Sequence, residues 1–178
     1  DYFRYCAMLK LGGVCSDADM RCARALQPLI ERAPSGLLVG RPNGVVINGF
    51  FAFRTAEHPL VRLALEIATV NIERRSSNDV WLTTGPGIFT MLSCLRNSGS
   101  VGEFRSIYID RGGAMTTLAQ TVCDVVEDDT CMENLFEGIV VLPSAELRRY
   151  VRGCVGLPYR TTPEHWVNWQ ARASIYAR

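Results

Sequence analysis

At 178 residues, 48% of them hydrophobic and 21% charged, the chain has the size and balance of one globular domain able to build its own core (roughly 100–200 residues per domain). A net charge of +1 argues against a nucleic-acid partner or an anionic membrane surface. Of the 19 basic residues only Lys10 is lysine, which reads mainly as coding bias, although arginine also suits phosphate recognition, and which excludes nearly every mechanism built on a catalytic lysine.

Asp1 to Leu11 reads as a helix, with Asp1 at its N-terminus and Gly12 as its stop. Val14-Cys15-Ser16 follows as a short buried strand that ends on Asp17-Ala18-Asp19. Met20 to Ile30 is read as irregular or partly helical, ended near Pro28. Leu37 to Val39 and Val45 to Phe53 are predicted strands, separated by the turn Arg41-Pro42-Asn43-Gly44.

His58-Pro59 opens a second helix, with Pro59 at its first position. Between Leu60 and Glu73 the polar positions Arg62, Glu66, Thr69 and Glu73 form one narrow stripe, so this helix is expected to be largely buried. Thr84-Gly85-Pro86-Gly87 opens a third helix running to about Asn97. A Gly/Ser-rich loop and a strand at Ser106–Ile109 are expected next. Thr116 to Val126 fits either a helix or a strand. Ile139 to Leu142 reads as a strand, Ser144 to Val151 as a short helix, and the tail is polar and aromatic. Strands alternate with helices, so the expected class is α/β or α+β with a mixed sheet.

The seven cysteines are odd in number, and no two have CxxC spacing. They read as reduced, core-filling thiols of a cytoplasmic protein. With only His58 and His165 to assist them, a zinc site is not expected. The most apolar region, Leu37 to Phe53, is interrupted by Arg41, Pro42, Asn43 and Asn48, so no membrane span is expected. The chain opens on Asp1 inside a helix, which reads as a fragment with residues missing upstream.

Two carboxylates one residue apart at a strand's end can face a single divalent cation, and a hard cation with oxygen ligands is what a diphosphate needs. The Asp17/Asp19 pair also fits a plain solvated turn. Its place at a strand's carboxyl end favours the ligand reading, since ligands gather there in open α/β sheets. Asp1 and Arg4 share a helix face and make either a surface ion pair or a contact to phosphate or sugar. His165, with Trp166 and Trp169, can close over such a site or simply anchor the tail on the core. His58 reads as a helix-start residue. Thr84-Gly85-Pro86 is either a capped helix start or a place where free N–H groups meet an anion or hydroxyl.

Taken together, these segments resemble the DXD-containing sugar-binding glycosyltransferases, a family that includes capsular-polysaccharide glycosyltransferases and initiation-specific α-1,6-mannosyltransferases. DYFRYCAMLKLGGVCSDADM resembles the family's segment around its DXD motif, and the large clostridial glucosylating toxins carry a similar helix, glycine pair and DXD. NGFFAFRTAEHPL, TTGPGIFT and EHWVNWQARAS resemble three further family elements in the same order. The likeness runs from Asp1 to about Ala173.

The resemblance implies a GT-A fold, here a mixed sheet flanked by helices in one catalytic domain spanning residues 1–178, without its N-terminal nucleotide-binding strands. It implies a retaining transferase that moves a sugar from a UDP- or GDP-linked donor to a glycan or other hydroxyl acceptor, with Mn2+ or Mg2+. By position, Asp19 would bind the metal and Asp17 would contact the donor and the metal shell. Asp1 and Arg4 would hold the donor sugar. His165 would assist at the metal–diphosphate, Trp169 would close over it, and Asn48 and Thr84 would line the donor–acceptor cleft. The chain departs from the family where Val167-Asn168 precede Trp169, in place of a small residue and serine.

Two other readings compete. A haloacid-dehalogenase-like phosphatase also places Asp-x-Asp after a strand, but it needs a downstream lysine, and none lies beyond Lys10. A catalytically inactive sugar- or partner-binding domain would keep the architecture without transfer. The lack of Asn-x-Ser/Thr sites and of an anchor points to a bacterial polysaccharide pathway.

Overall fold

The computed structural model describes residues 1–126, 134–153 and 176. Helix α1 (Tyr2–Leu11) leads through Gly12 into strand β1 (Gly13–Ser16). Gly12 has φ 63°, and a Cβ there would stand 2.8 Å from the Thr55 carbonyl carbon, so only glycine makes this turn without strain. Strand β2 (Met20–Cys22), helix α2 (Gln27–Glu31) and strands β3 (Gly36–Gly40) and β4 (Val46–Phe53) follow. Helices α3 (Pro59–Glu73), α4 (Val80–Thr83), α5 (Pro86–Ser98) and α6 (Val101–Arg105) come next, then a π-helical turn, Ser106–Asp110. Helix α7 (Thr116–Val125), strand β5 (Ile139–Pro143), helix α8 (Ser144–Leu147) and strand β6 (Val151–Gly153) complete the described elements.

Four strands form one mixed sheet in the order β1-β4-β3-β5. β4 is antiparallel to both β1 and β3, whereas β3 and β5 run parallel. The β3–β4 hairpin closes on the expected turn, where the Arg41 amide donates to the Val45 carbonyl at 2.8 Å. β2 and β6 pair separately as a short antiparallel ribbon.

β4 is apolar on both sides because both faces of the sheet are covered. Phe51 and Phe53 join Tyr5, Leu60, Ile67, Phe89 and other residues of α1, α3, α5 and α7 in the larger core. Phe50 and Ala52 face the smaller core of Leu29, Leu37, Leu142 and Val151. Tyr5, Phe51 and Phe89 meet edge-on or tilted at centroid distances of 5.3 to 6.4 Å, as ring quadrupoles favour. Among the described residues no helix is long and apolar enough to cross a membrane.

The α/β class with a mixed sheet is as expected, and several local readings are corrected. β1 is not a buried strand. It lies at the sheet's edge with Gly13, Val14 and Ser16 exposed, because β4 is its only partner among the described residues. Pro28 lies near the start of α2 rather than at a helix end. Ser106–Ile109 is helical, not a strand. The Ser100 hydroxyl caps α6 by accepting from the Glu103 amide at 3.1 Å, and Phe104 stacks on Tyr108 one turn later, so helical spacing overrides β propensity. Thr116–Val125 resolves as a helix. The helix expected over Ser144–Val151 stops at Leu147, since residues 151–153 are drawn into pairing with β2.

Candidate active site

Helix α1 carries Asp1 and Arg4 to the same place to which β1 delivers Asp17. One nitrogen of the Arg4 guanidinium, Nη2, lies 2.9 Å from Asp17 Oδ1 and 3.1 Å from Asp1 Oδ1. The other, Nη1, donates to the main-chain carbonyl of Asn48 on β4. A planar fork reaching two carboxylates and a carbonyl uses geometry that lysine lacks. Arg4 therefore joins α1, the end of β1 and the middle of β4.

The turn after β1 is pinned on both sides. The Asp17 amide donates to the Gly49 carbonyl at 2.7 Å, and the Met20 amide donates to the Asp17 carbonyl at 3.0 Å. The second carboxylate oxygen of Asp17 lies directly over Gly49, where a Cβ would come within 2.5 Å of it. Gly49 is thus a cradle for the carboxylate, a role with no signal in the spacing of residues.

Asp1, Arg4, Asp17, Asp19 and Asn48 all line one cavity of about 440 Å³. Asn48 is 95% buried, with 5% exposure, and among the described residues no acceptor stands within hydrogen-bond geometry of its Nδ2. That amide lies beside the Tyr5 hydroxyl, which donates to the Gly85 carbonyl at 3.3 Å. Burial pushes the Tyr5 phenol well above its ordinary pKa, with the Asn48 amide and then Arg4 opposing. Tyr5 is therefore a neutral strut beneath the cavity floor.

Two further residues line the cavity that sequence reasoning missed. Arg41, from the β3–β4 turn, adds a second guanidinium, and Trp81, from α4, adds an aromatic wall. Trp81 is seated by the glycines beside it: a Cβ on Gly85 would stand 2.7 Å from its Cα, and one on Gly87 2.8 Å from its ring. The Gly-Pro-Gly run was the available signal, read as a helix start or as an N–H site for an anion or hydroxyl, not as the seat of Trp81. The side chains of Asp1, Asp17 and Asp19 against those of Arg4 and Arg41 leave the cavity with a formal charge of −1.

Thr84 does not belong to this lining; it closes α4, and its neighbours Trp81 and Pro86 face the cavity instead. His165 and Trp169 lie outside the described residues. His58 is a helix-start residue, as expected: its Nδ1 accepts from the Leu60 amide at 3.2 Å, and its Nε2 lies 2.6 Å from Ser35 Oγ. Since Nδ1 accepts, the neutral ring carries its proton on Nε2 and donates to Ser35, while burial lowers its pKa. Cys6, Cys15, Cys22, Cys94 and Cys123 are free thiols, but Cys22 is exposed and so fills no core.

Among the described residues no group of three or more His, Cys, Asp or Glu side chains gathers as a complete cage for a metal. Two carboxylates on one cavity wall do suit a hard cation whose other ligands are waters and substrate phosphates, as is usual for Mg2+. No protein-family model matches this chain, and no curated protein or solved structure matches it either.

Proposed function

We propose that this cavity is the donor site of a metal-dependent, retaining glycosyltransferase, which moves a sugar from a nucleotide-sugar to a glycan or other hydroxyl acceptor. One observation carries the reading. Residues up to 44 apart in contact, Arg4 and Asn48, meet Asp1, Asp17 and Asp19 around one cavity at the carboxyl end of β1. These are five of the residues to which the family resemblance gives donor, metal or cleft roles.

Asp19 and Asp17 would hold Mn2+ or Mg2+, and the ion when bound supplies the positive charge that a departing diphosphate needs. Arg4 fixes Asp17 in place and, with Asp1, presents polar atoms to the donor sugar. Arg4 holds one Asp17 oxygen and the other sits against Gly49, so Asp17 would serve as a fixed carboxylate of the metal shell. Trp81 offers an apolar wall for a sugar ring.

Three of the cavity's side chains are carboxylates, so a diphosphate without a cation meets like charge there. Titrating UDP and GDP with and without Mn2+ by calorimetry is therefore decisive. One nucleotide is expected to bind only with Mn2+, and Asp19→Ala is expected to abolish that binding. Binding that ignores the metal, or full metal dependence in Asp19→Ala, refutes the reading. No binding of either nucleotide leaves the inactive sugar- or partner-binding domain as the better account.

A further inference from the structure

The two-stranded ribbon of β2 and β6 places Arg21 directly opposite Arg152. Both are exposed, and as cross-strand partners their side chains leave the same face of the ribbon. Arg24, just beyond β2, and Arg148 and Arg149, just before β6, are exposed as well. None of these five arginines makes an ion pair among the described residues. The nearby carboxylate of Glu146 is already taken by Arg32. In a chain of net charge +1, this is a sharp local excess of positive charge.

Like charges set directly opposite on a ladder repel. A pair of strands three residues long has little pairing energy to spare. An anionic group seated between the two guanidiniums converts that repulsion into charge-assisted hydrogen bonds, which the arginine fork is shaped to make with carboxylate or phosphate. The next rung of the same ladder pairs Met20 with Gly153, and both of these residues line the cavity. Among the described residues a Cβ on Gly153 would meet nothing within 4 Å; strand alternation turns this rung to the ribbon's other face, so a chain gripped by the arginines reaches the cavity around the ribbon's end at Gly153.

Resting on the glycosyltransferase reading for what the cavity holds, we propose that the Arg21–Arg152 pair is a binding site for an acidic glycan. The pair grips a carboxylate or phosphate of the acceptor chain while its reacting end passes Gly153 into the cavity. The charge of the patch and its adjacency to the cavity argue for this occupant. Among the described residues, none of the exposed large apolar side chains (Tyr2, Phe3, Leu11, Val14, Ile72 and Val141) lies on the ribbon, so the described ribbon presents no anchor to insert into a lipid surface.

The test is fluorescence titration of the full chain at low and high salt with an oligogalacturonate. The comparison probes are a neutral malto-oligosaccharide of equal length, phosphatidylglycerol-containing vesicles and a single-stranded oligonucleotide. The oligogalacturonate is expected to bind in a salt-sensitive way and the neutral sugar not to bind. Arg21→Gln/Arg152→Gln is expected to weaken the acidic sugar about tenfold or more, whereas the charge-matched control Arg105→Gln/Arg111→Gln, at exposed arginines flanking the π-helical turn, retains wild-type affinity. Equal losses in the two double variants, or preference for vesicles or the oligonucleotide over the acidic sugar, would overturn the proposal. Mn2+-dependent nucleotide binding measured on the same proteins separates the two readings. Oligogalacturonate binding that depends on Arg21 and Arg152, without nucleotide binding, sinks the transferase and keeps the anion site. Nucleotide binding without oligogalacturonate binding does the reverse.

Discussion

Gly49→Ala separates what holds the fold from what holds the site. Gly49 is buried in β4 and its backbone is not left-handed, so an alanine there carries no backbone strain. The added methyl would stand 2.5 Å from Asp17 Oδ2 and 3.2 Å from both Asp17 Cγ and Met20 Cε. Ordinary contacts begin near 3.5 Å, so the carboxylate must retreat by about 1 Å. The group that gives way is the end of a short side chain whose exposure is 38%, and water takes over part of its bond to Arg4.

The expected loss of stability is therefore small, about 1 kcal/mol after solvent screening. The narrower freedom of the unfolded chain offsets about 0.5–1 kcal/mol of it. Binding responds differently, because misplacing a group that orients a metal site costs about 10–100-fold in affinity. Thermal unfolding should shift by no more than about 3 °C, while Mn2+-dependent nucleotide affinity measured by calorimetry falls at least about tenfold. Wild-type affinity in Gly49→Ala would refute the claim that this glycine cradles a working carboxylate. A collapse in melting temperature would show instead that the close approach is structural.

Two further outcomes test the packing and the electrostatics. Phe89 is fully buried between Tyr5 and Phe51, so Phe89→Ala should cost about 3–5 kcal/mol; at about 2–4 °C per kcal/mol for a chain of this size, differential scanning fluorimetry should read a drop on the order of 10 °C, and a fall of only a degree or two would mean that the aromatic cluster is not the centre of the core. His58 has its pKa lowered by burial, so below its ordinary value the unfolded chain binds a proton that the folded chain resists. Stability should then be full above the ordinary histidine range and fall as pH drops through it towards the lower folded value. In His58→Asn, which keeps a capping side chain for the Leu60 amide, chemical denaturation at pH 7.5 and pH 5.0 should show a smaller difference between the two pH values than in the wild type.

The legible parts of this chain are those in which local chemistry and tertiary contact agree. Gly12 announces a left-handed stop, and its backbone approach to Thr55 demands the same residue. His58-Pro59 announces a helix start, and the His58 ring caps it. The alternative faces of β4 could not be told apart in the sequence, because burial on both sides erases the alternation that marks a strand with one wet face. Ser106–Ile109 misled for the opposite reason: Ile107 and Ile109 favour a strand in isolation, but the Ser100 cap had already started a helix that runs into them.

The same contrast explains the candidate site. Asp1, Arg4, Asp17 and Asp19 lie within one helix–turn–strand, so their convergence follows from short-range geometry and shows in their spacing. Gly49, Arg41 and Trp81 reach the cavity only because β4 pairs antiparallel with β1, the β3–β4 hairpin closes beside it, and α4 packs at its far wall. Register decides this: sliding β4 by one residue against β1 would turn the opposite side chains toward the cavity and take Gly49 out from under Asp17. A glycine that carries no charge and makes no motif is thus as much part of the site as the carboxylate above it, and no pattern short of the strand register reveals it.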